Sequence, residues 1–170
     1  MKELTEKEAY NKAAVYCSHS EHCISEVCEK LRQWGVANEE VREHIVQQLQ
    51  AEKYIDEERF SHAFVHDKFH FNHWGRQKIA LCLAQKRIPS NLIAKALEEV
   101  GDDDSLQAAK ELLAAKLPSV KAANGYELYA KLMRFASARG IEADIAHQTI
   151  KQITEDYATG DEEASFTTDE

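Results

Sequence analysis

Arg76-Gln77-Lys78-Ile79-Ala80-Leu81-Cys82-Leu83-Ala84-Gln85-Lys86-Arg87-Ile88-Pro89-Ser90-Asn91-Leu92-Ile93-Ala94-Lys95-Ala96-Leu97 places apolar side chains at 79, 83, 88, 93 and 97. Residues four apart share one face of a helix, so Ile79 with Leu83, and Ile93 with Leu97, read as the buried stripes of two helices. The same spacing occurs 52 residues earlier, at Val27, Leu31, Val36, Val41 and Ile45, and 53 residues later, at Leu132, Ala136, Ile141, Ala146 and Ile150. A period near fifty in which apolar positions agree while exposed ones drift marks stacked helical modules, each too small to bury a core alone. The expected fold is therefore all-α: three tandem three-helix modules at 1–55, 56–101 and 102–155 in one elongated helical repeat body. Arrays of this kind present surface for binding partners.

Local signals subdivide each module. Thr5 with Glu8 forms a capping box for a first helix to about Ser18; a second runs from about Cys23 to Trp34, where Gly35 suits the left-handed C′ position; Asn38 caps a third, which ends near Glu52. In module two Asp56 is the N-cap of the first helix, with Ile55 and Phe60 as a hydrophobic staple. Its second helix spans about Trp74 to Gln85, and its third opens near Pro89 or Ser90 and stops at Gly101. Module three has helices near 104–117, 126–139 and 142–155, the middle one opened by an Asn124–Glu127 capping box and ended by Gly140. Residues 156–170 are acidic, nearly without apolar periodicity, and expected to be a disordered tail.

Composition narrows the class of function. The 170 residues carry a net charge of −9, unevenly spread. Residues 1–58 hold 7 basic and 13 acidic side chains, whereas 59–97 hold Arg59, Lys68, Arg76, Lys78, Lys86, Arg87 and Lys95 against Asp67 alone. Residues 110–139 are basic again, and 155–170 contain seven acids and no base. The two cationic zones point to phosphate or an acidic partner, with Lys68, Arg76, Lys78, Lys86, Arg87, Lys131, Arg134 and Arg139 as candidate partner- or DNA-binding residues. No stretch is apolar enough for a membrane span or signal peptide, so a cytoplasmic protein without membrane contact is expected. Cys17, Cys23, Cys28 and Cys82 read as reduced thiols.

No catalytic constellation emerges. The six glycines stand singly, so no loop offers the backbone amides of a phosphate cradle, and the paired carboxylates lie at helical surface spacings beside lysines. His62, His66, His70 and His73 share a helix face that could attract zinc or nickel, but a solvated polar face explains them as well, and no metal or cofactor is assigned. Cys17, His19, His22, Cys23 and Cys28 have no recognised ligand spacing. Tyr10, Tyr16, Trp34, Phe60, Phe64 and Trp74 could stack on bases, although core packing is the simpler reading.

The run Tyr54-Ile55-Asp56-Glu57-Glu58-Arg59-Phe60-Ser61-His62-Ala63-Phe64-Val65 resembles the central signature of the RecX family of RecA regulators. Gly75-Arg76-Gln77-Lys78-Ile79, followed by Leu83 and Lys86-Arg87-Ile88, is similar to that family's next segment. The likeness covers roughly residues 6–155. Lys53 and Arg87 depart from it, since each stands where the family commonly has a glycine at a helix C-terminal turn. The resemblance implies a curved, right-handed-type helical repeat body, acting as a monomer, that lies in the groove of a RecA filament on single-stranded DNA. It would restrain filament extension, ATP turnover, strand exchange and coprotease activity, with direct DNA contact possible in principle. The alternative from the residues themselves is a stand-alone helical DNA-binding protein, since three-helix units resemble helix-turn-helix folds. Tyr54, Ile55, Asp56, Arg59, Phe60, Gly75, Ile79 and Leu83 carry the signature, and capping and stapling already account for several of them.

Overall fold

The computed structural model describes the backbone of residues 3–165 and the side chains of 3–156. Among these residues the secondary structure is helical throughout: α1 (Glu6–His19), α2 (Ile24–Gln33), α3 (Glu39–Ala51), α4 (Glu57–His70), α5 (Arg76–Gln85), α6 (Ser90–Leu97), α7 (Asp102–Lys116), α8 (Gly125–Ala138) and α9 (Ala143–Ser165), with a 3₁₀ turn at Leu117–Ser119. Caps set most starts. The Thr5 hydroxyl accepts from Glu8 N while the Glu8 carboxylate accepts from Thr5 N, and Asn38 accepts from the amides of Glu40 and Val41. The Asp56 carboxylate accepts from Arg59 N at 3.0 Å. Asn124 accepts from Glu127 N, but the Glu127 carboxylate takes the amide of Ala123 rather than that of Asn124.

The apolar period is a burial period. All fifteen repeat positions are buried except Val41, Ile93 and Leu97, which are half-buried. The turn after the second helix repeats with them. Gly35, Arg87 and Gly140, at equivalent places in the period, all take positive φ (92°, 61° and 75°). In each case the next residue's amide returns to a carbonyl five residues back: Val36 to Leu31, Ile88 to Leu83, Ile141 to Ala136. These are Schellman closures, each followed by a buried apolar side chain at Val36, Ile88 and Ile141. Lys53, at φ 62°, ends α3 the same way, with Tyr54 N on Leu49 O. Both non-glycine departures from the family pattern therefore sit in left-handed backbone.

By backbone contacts the chain divides into two compact units, residues 1–67 with 80–99, and 68–79 with 100–170. The first has a core of Ala9, Ala13, Val27, Leu31, Ile45, Leu49 and Ile55, with Tyr16 and Trp34 packed on it. The second buries Ala109, Leu113, Leu132, Ala136, Ile145, Ala146, Ile150 and Ile153, mainly by seating α7 and α8 on α9. The units do not follow the period, because residues 68–79 dock on the turn at Gly140. Gly75 N donates to Arg139 O at 2.6 Å and Gln77 N to Gly140 O at 3.2 Å.

Two boundaries differ from the sequence reading. α6 stops at Leu97, and Gly101 instead precedes α7, its amide donating to the Asp104 carboxylate. Glu98 and Glu99 would be acids at a helix C-terminus, where the macrodipole disfavours them. The expected disordered tail is helical through Ser165, since an established helix gains one hydrogen bond per added residue and only Gly160 interrupts the propensity. Residues 166–170, the rest of that tail, lie outside the described residues.

Candidate partner-binding surface

The seven cations of residues 59–97 differ in what holds them. Four are engaged by carboxylates: Arg59 with Glu21, Lys86 with Glu26 at 2.6 Å, Lys95 with Glu58, and Arg76 with Glu142 and Asp102. Arg76 is the most committed. Its Nε and Nη2 bind both Glu142 oxygens at 2.7 and 3.0 Å, Nη2 also reaches Asp102 at 2.8 Å, and Nη1 donates to Val100 O at 3.2 Å. The Glu142 hydrogen bond raises the guanidinium pKa further. This bidentate fork, 21% exposed, locks the start of α5 to the flanks of α7 and α9. Arg76 therefore has a structural use that its position in a basic run did not announce.

Lys68 and Lys78 lie over the ring of the half-buried Trp74, with ammonium-to-centroid distances of 4.9 and 4.3 Å. The Lys78 ammonium also points to Ala138 O at the end of α8, 3.4 Å away. One turn back, Phe135 carries Lys116 at 5.2 Å and the Arg139 guanidinium at 5.3 Å, and Arg139 reaches Asn72 O. Among the described residues Lys78, Lys116 and Arg139 form no carboxylate pair. Two aromatic rings thus hold cations in the second unit, and at Lys78, Lys116 and Arg139 the cation–π contact leaves the charge without a carboxylate partner among the described residues. Exposed Phe71 adjoins them in sequence. Sequence reasoning identified Lys68, Lys78 and Arg139 but missed Lys116, and it favoured a core role for Trp74. A lysine in a last helical turn has too ordinary an explanation, dipole compensation, to stand out.

The remaining candidates lie elsewhere. Arg87 is exposed and opens, with Ser25, Cys28, Arg32 and Lys86, on a surface cleft of about 340 Å3 in the first unit. Lys131 pairs with Glu127 and donates to Lys121 O; Arg134 is exposed on α8. The signature residues have packing duties. Ile55, Phe60, Ile79 and Leu83 are buried, Tyr54 closes the α3 turn, and Arg59 adds a bond to Lys53 O. Gly75 is required sterically, because a Cβ there would lie 2.3 Å from Gly140 O.

The histidine face is used for local contacts: His62 meets Glu99 at 2.5 Å and Glu58 at 3.9 Å, and His66 meets Asp67. His73 leaves the helix with φ 56°. Among the described residues no group of three or more His, Cys, Asp or Glu side chains is arranged to hold a metal. His22 stacks on Tyr16 and bonds Glu26. The four cysteines are free thiols, and burial pushes Cys17 up to about 11 and raises Cys23 and Cys28, which keeps them protonated and poorly nucleophilic. Among the described residues no helix is long and apolar enough to cross a membrane.

Family models describe the three repeats individually. The first three-helix domain of RecX matches residues 9–49, the second 56–97 and the third 102–150. The regulatory protein RecX of Geobacillus thermodenitrificans is 27% identical over 146 residues, covering 86% of this chain and 49% of that protein. The regulatory protein RecX of Prosthecochloris aestuarii is 25% identical over 153 residues, 90% of this chain and 98% of that one. This chain thus spans about half the length of the first relative and nearly all of the second. The crystal structure of RecX from Lactobacillus salivarius superposes with a TM-score of 0.77 at 21% identity, covering 88% of this chain and 96% of that one. A second RecX crystal structure gives 0.79 at 21% identity over 86% and 73%. With the three domain models matching in order across most of its length, the chain belongs to the RecX family.

Proposed function

We propose that the chain is a cytoplasmic regulator of the RecA recombinase, a binding protein without catalytic chemistry of its own, that lies on RecA–DNA filaments and limits their extension. Restraint of ATP turnover, strand exchange and coprotease activity follows from shortened filaments. The observation that carries this reading is the ordered match of three RecX domains over residues 9–150. Repeated units can meet successive protomers of a helical polymer, so individually weak contacts combine through effective concentration. The cations held on Trp74 and Phe135 supply a surface suited to an anionic partner, with Arg87 and Arg134 as further contacts.

Cations on aromatic rings also favour a second reading, direct binding of DNA through phosphate contact and base stacking. Sedimentation with preformed RecA–single-strand filaments, beside naked DNA at the same salt, separates the two. Binding to filaments alone, with slowed DNA-dependent ATP hydrolysis at substoichiometric protein, supports the first. Equal binding to naked DNA selects the second, and unchanged hydrolysis at equimolar protein removes the first.

A further inference from the structure

The cleft of about 340 Å3 in the first unit has the volume of a small-molecule site, and cations from separate stretches of chain line it: Arg32 on α2, with Lys86 and Arg87 in the turn after α5. Arg87 holds the left-handed backbone conformation that glycine takes freely at the two equivalent turns. Strain of this kind clusters at ligand clamps. Arg32 and Lys86 are paired, with Glu29 and Glu26, but Arg87 and the nearby Arg42 of α3 have no carboxylate partner among the described residues; Arg42 donates to Val36 O and Ala37 O. Burial pushes the Cys28 thiol up while Arg42, Arg32 and Arg87 pull it back against Glu43, which puts three guanidiniums within electrostatic reach of one side chain of the cleft. Glu57 also lines the cleft. Its carboxyl accepts from Ile24 N, and its Oε2 is buried without a partner among the described residues. Buried oxygens are otherwise almost always bonded, so a donor fits beside the cations.

We infer that this cleft binds a free nucleoside monophosphate, its phosphate on Arg87 and Arg32 with Arg42 adding charge, and a hydroxyl or amino group of the nucleoside donating to Glu57. A phosphate monoester carries roughly two charges and three terminal oxygens, which suit guanidinium forks. Side-chain forks thereby take the place of the glycine-rich amide cradle that the sequence lacks. The Arg32–Glu29 pair is exposed and contributes little, so Arg32 can turn to a ligand at small cost. A cleft of this size takes one small molecule, whereas a strand backbone is tracked by an elongated cationic groove. The inference goes beyond the proposed function, whose ring-borne cations belong to the second unit.

The test uses the full chain and AMP as the probe. Calorimetric titration should show saturable binding, roughly tenfold or more tighter than that of inorganic phosphate or of adenosine, since each of these supplies only part of the contacts. Bound AMP should also slow alkylation of Cys28 by iodoacetamide at mildly alkaline pH, read by peptide mass spectrometry, with Cys82, outside the cleft lining, as the internal control. Arg87→Gly keeps the left-handed turn and removes the guanidinium, so it should weaken AMP roughly tenfold without lowering the melting temperature. Absence of saturable binding, wild-type affinity in Arg87→Gly, or Cys28 alkylation indifferent to AMP would overturn the inference. An oligonucleotide without terminal phosphates that protects Cys28 as well as AMP does would overturn it too, because the cleft would then be taking a strand backbone. No filament enters these measurements, so their failure leaves the proposed function standing.

Discussion

Gly75 and Gly140 meet backbone to backbone, the amide ahead of α5 lying against the left-handed turn that ends α8. A Cβ on Gly75 would stand 2.3 Å from Gly140 O, whereas Gly140, at φ 75°, would set a Cβ 2.2 Å from Lys78 Cβ. Gly75→Ala is expected to cost roughly 1–3 kcal/mol, the usual penalty of overpacking. Thermal melting reads the loss, and hydrogen exchange should locate it in α7–α9. Gly125→Ala, with nothing within 4 Å of its Cβ, is the control and should be neutral or stabilising. Equal melting temperatures for the Gly75 and Gly125 variants would refute the close approach.

Arg76 and Lys78 are two residues apart with opposite duties. Arg76→Ala strands Glu142, which is 25% exposed, and should cost about 1–3 kcal/mol. Lys78→Glu combined with Arg139→Glu should alter stability by about 1 kcal/mol or less while weakening filament binding, and more so at low salt. Urea melts and filament sedimentation on the same preparations separate the effects. Wild-type filament binding by the Lys78/Arg139 pair across a salt series would remove this surface from the proposal.

At the three equivalent turns Arg87 occupies the left-handed conformation that glycine holds at 35 and 140. Arg87→Gly relieves that strain at the cost of greater freedom in the unfolded chain, for a net gain of up to about 1 kcal/mol. Gly35→Arg should lose a similar amount. If Arg87→Gly raises the melting temperature yet weakens regulation of RecA, the guanidinium is a contact. A rise without functional loss makes Arg87 a tolerated departure.

Glu26 ties α2 to α5 by accepting from Lys86 and also from His22. Burial pushes its carboxyl up, but the Lys86 and His22 hydrogen bonds outweigh that and leave it below the ordinary value. A carboxyl depressed on folding contributes stability above its unfolded pKa and loses it as pH falls through the folded one. Glu26→Gln should therefore be destabilised near neutrality by on the order of 1 kcal/mol, and the gap should close as pH drops below about 4. A gap constant from neutral to acid pH would show that the pair contributes nothing.

What could be read from the sequence was local or periodic. The apolar positions recur every fifty-odd residues, the caps at Thr5, Asn38 and Asp56 lie within a turn of the amides they accept from, and the turns at Gly35 and Gly140 close on their own helices. Such interactions leave a spacing in the chain. Arg76 and Glu142 are 66 residues apart, Lys86 and Glu26 are 60 apart, and no period links them. Helix packing alone decided which cations found carboxylates and which, like Lys78 and Arg139, lie on aromatic rings instead, and so the proposed surface is drawn in the second unit rather than from a basic run. The division into units was likewise invisible, because it depends on two backbones meeting at Gly75 and Gly140, and a glycine's missing Cβ reveals its purpose only when the opposing strand of chain is in place.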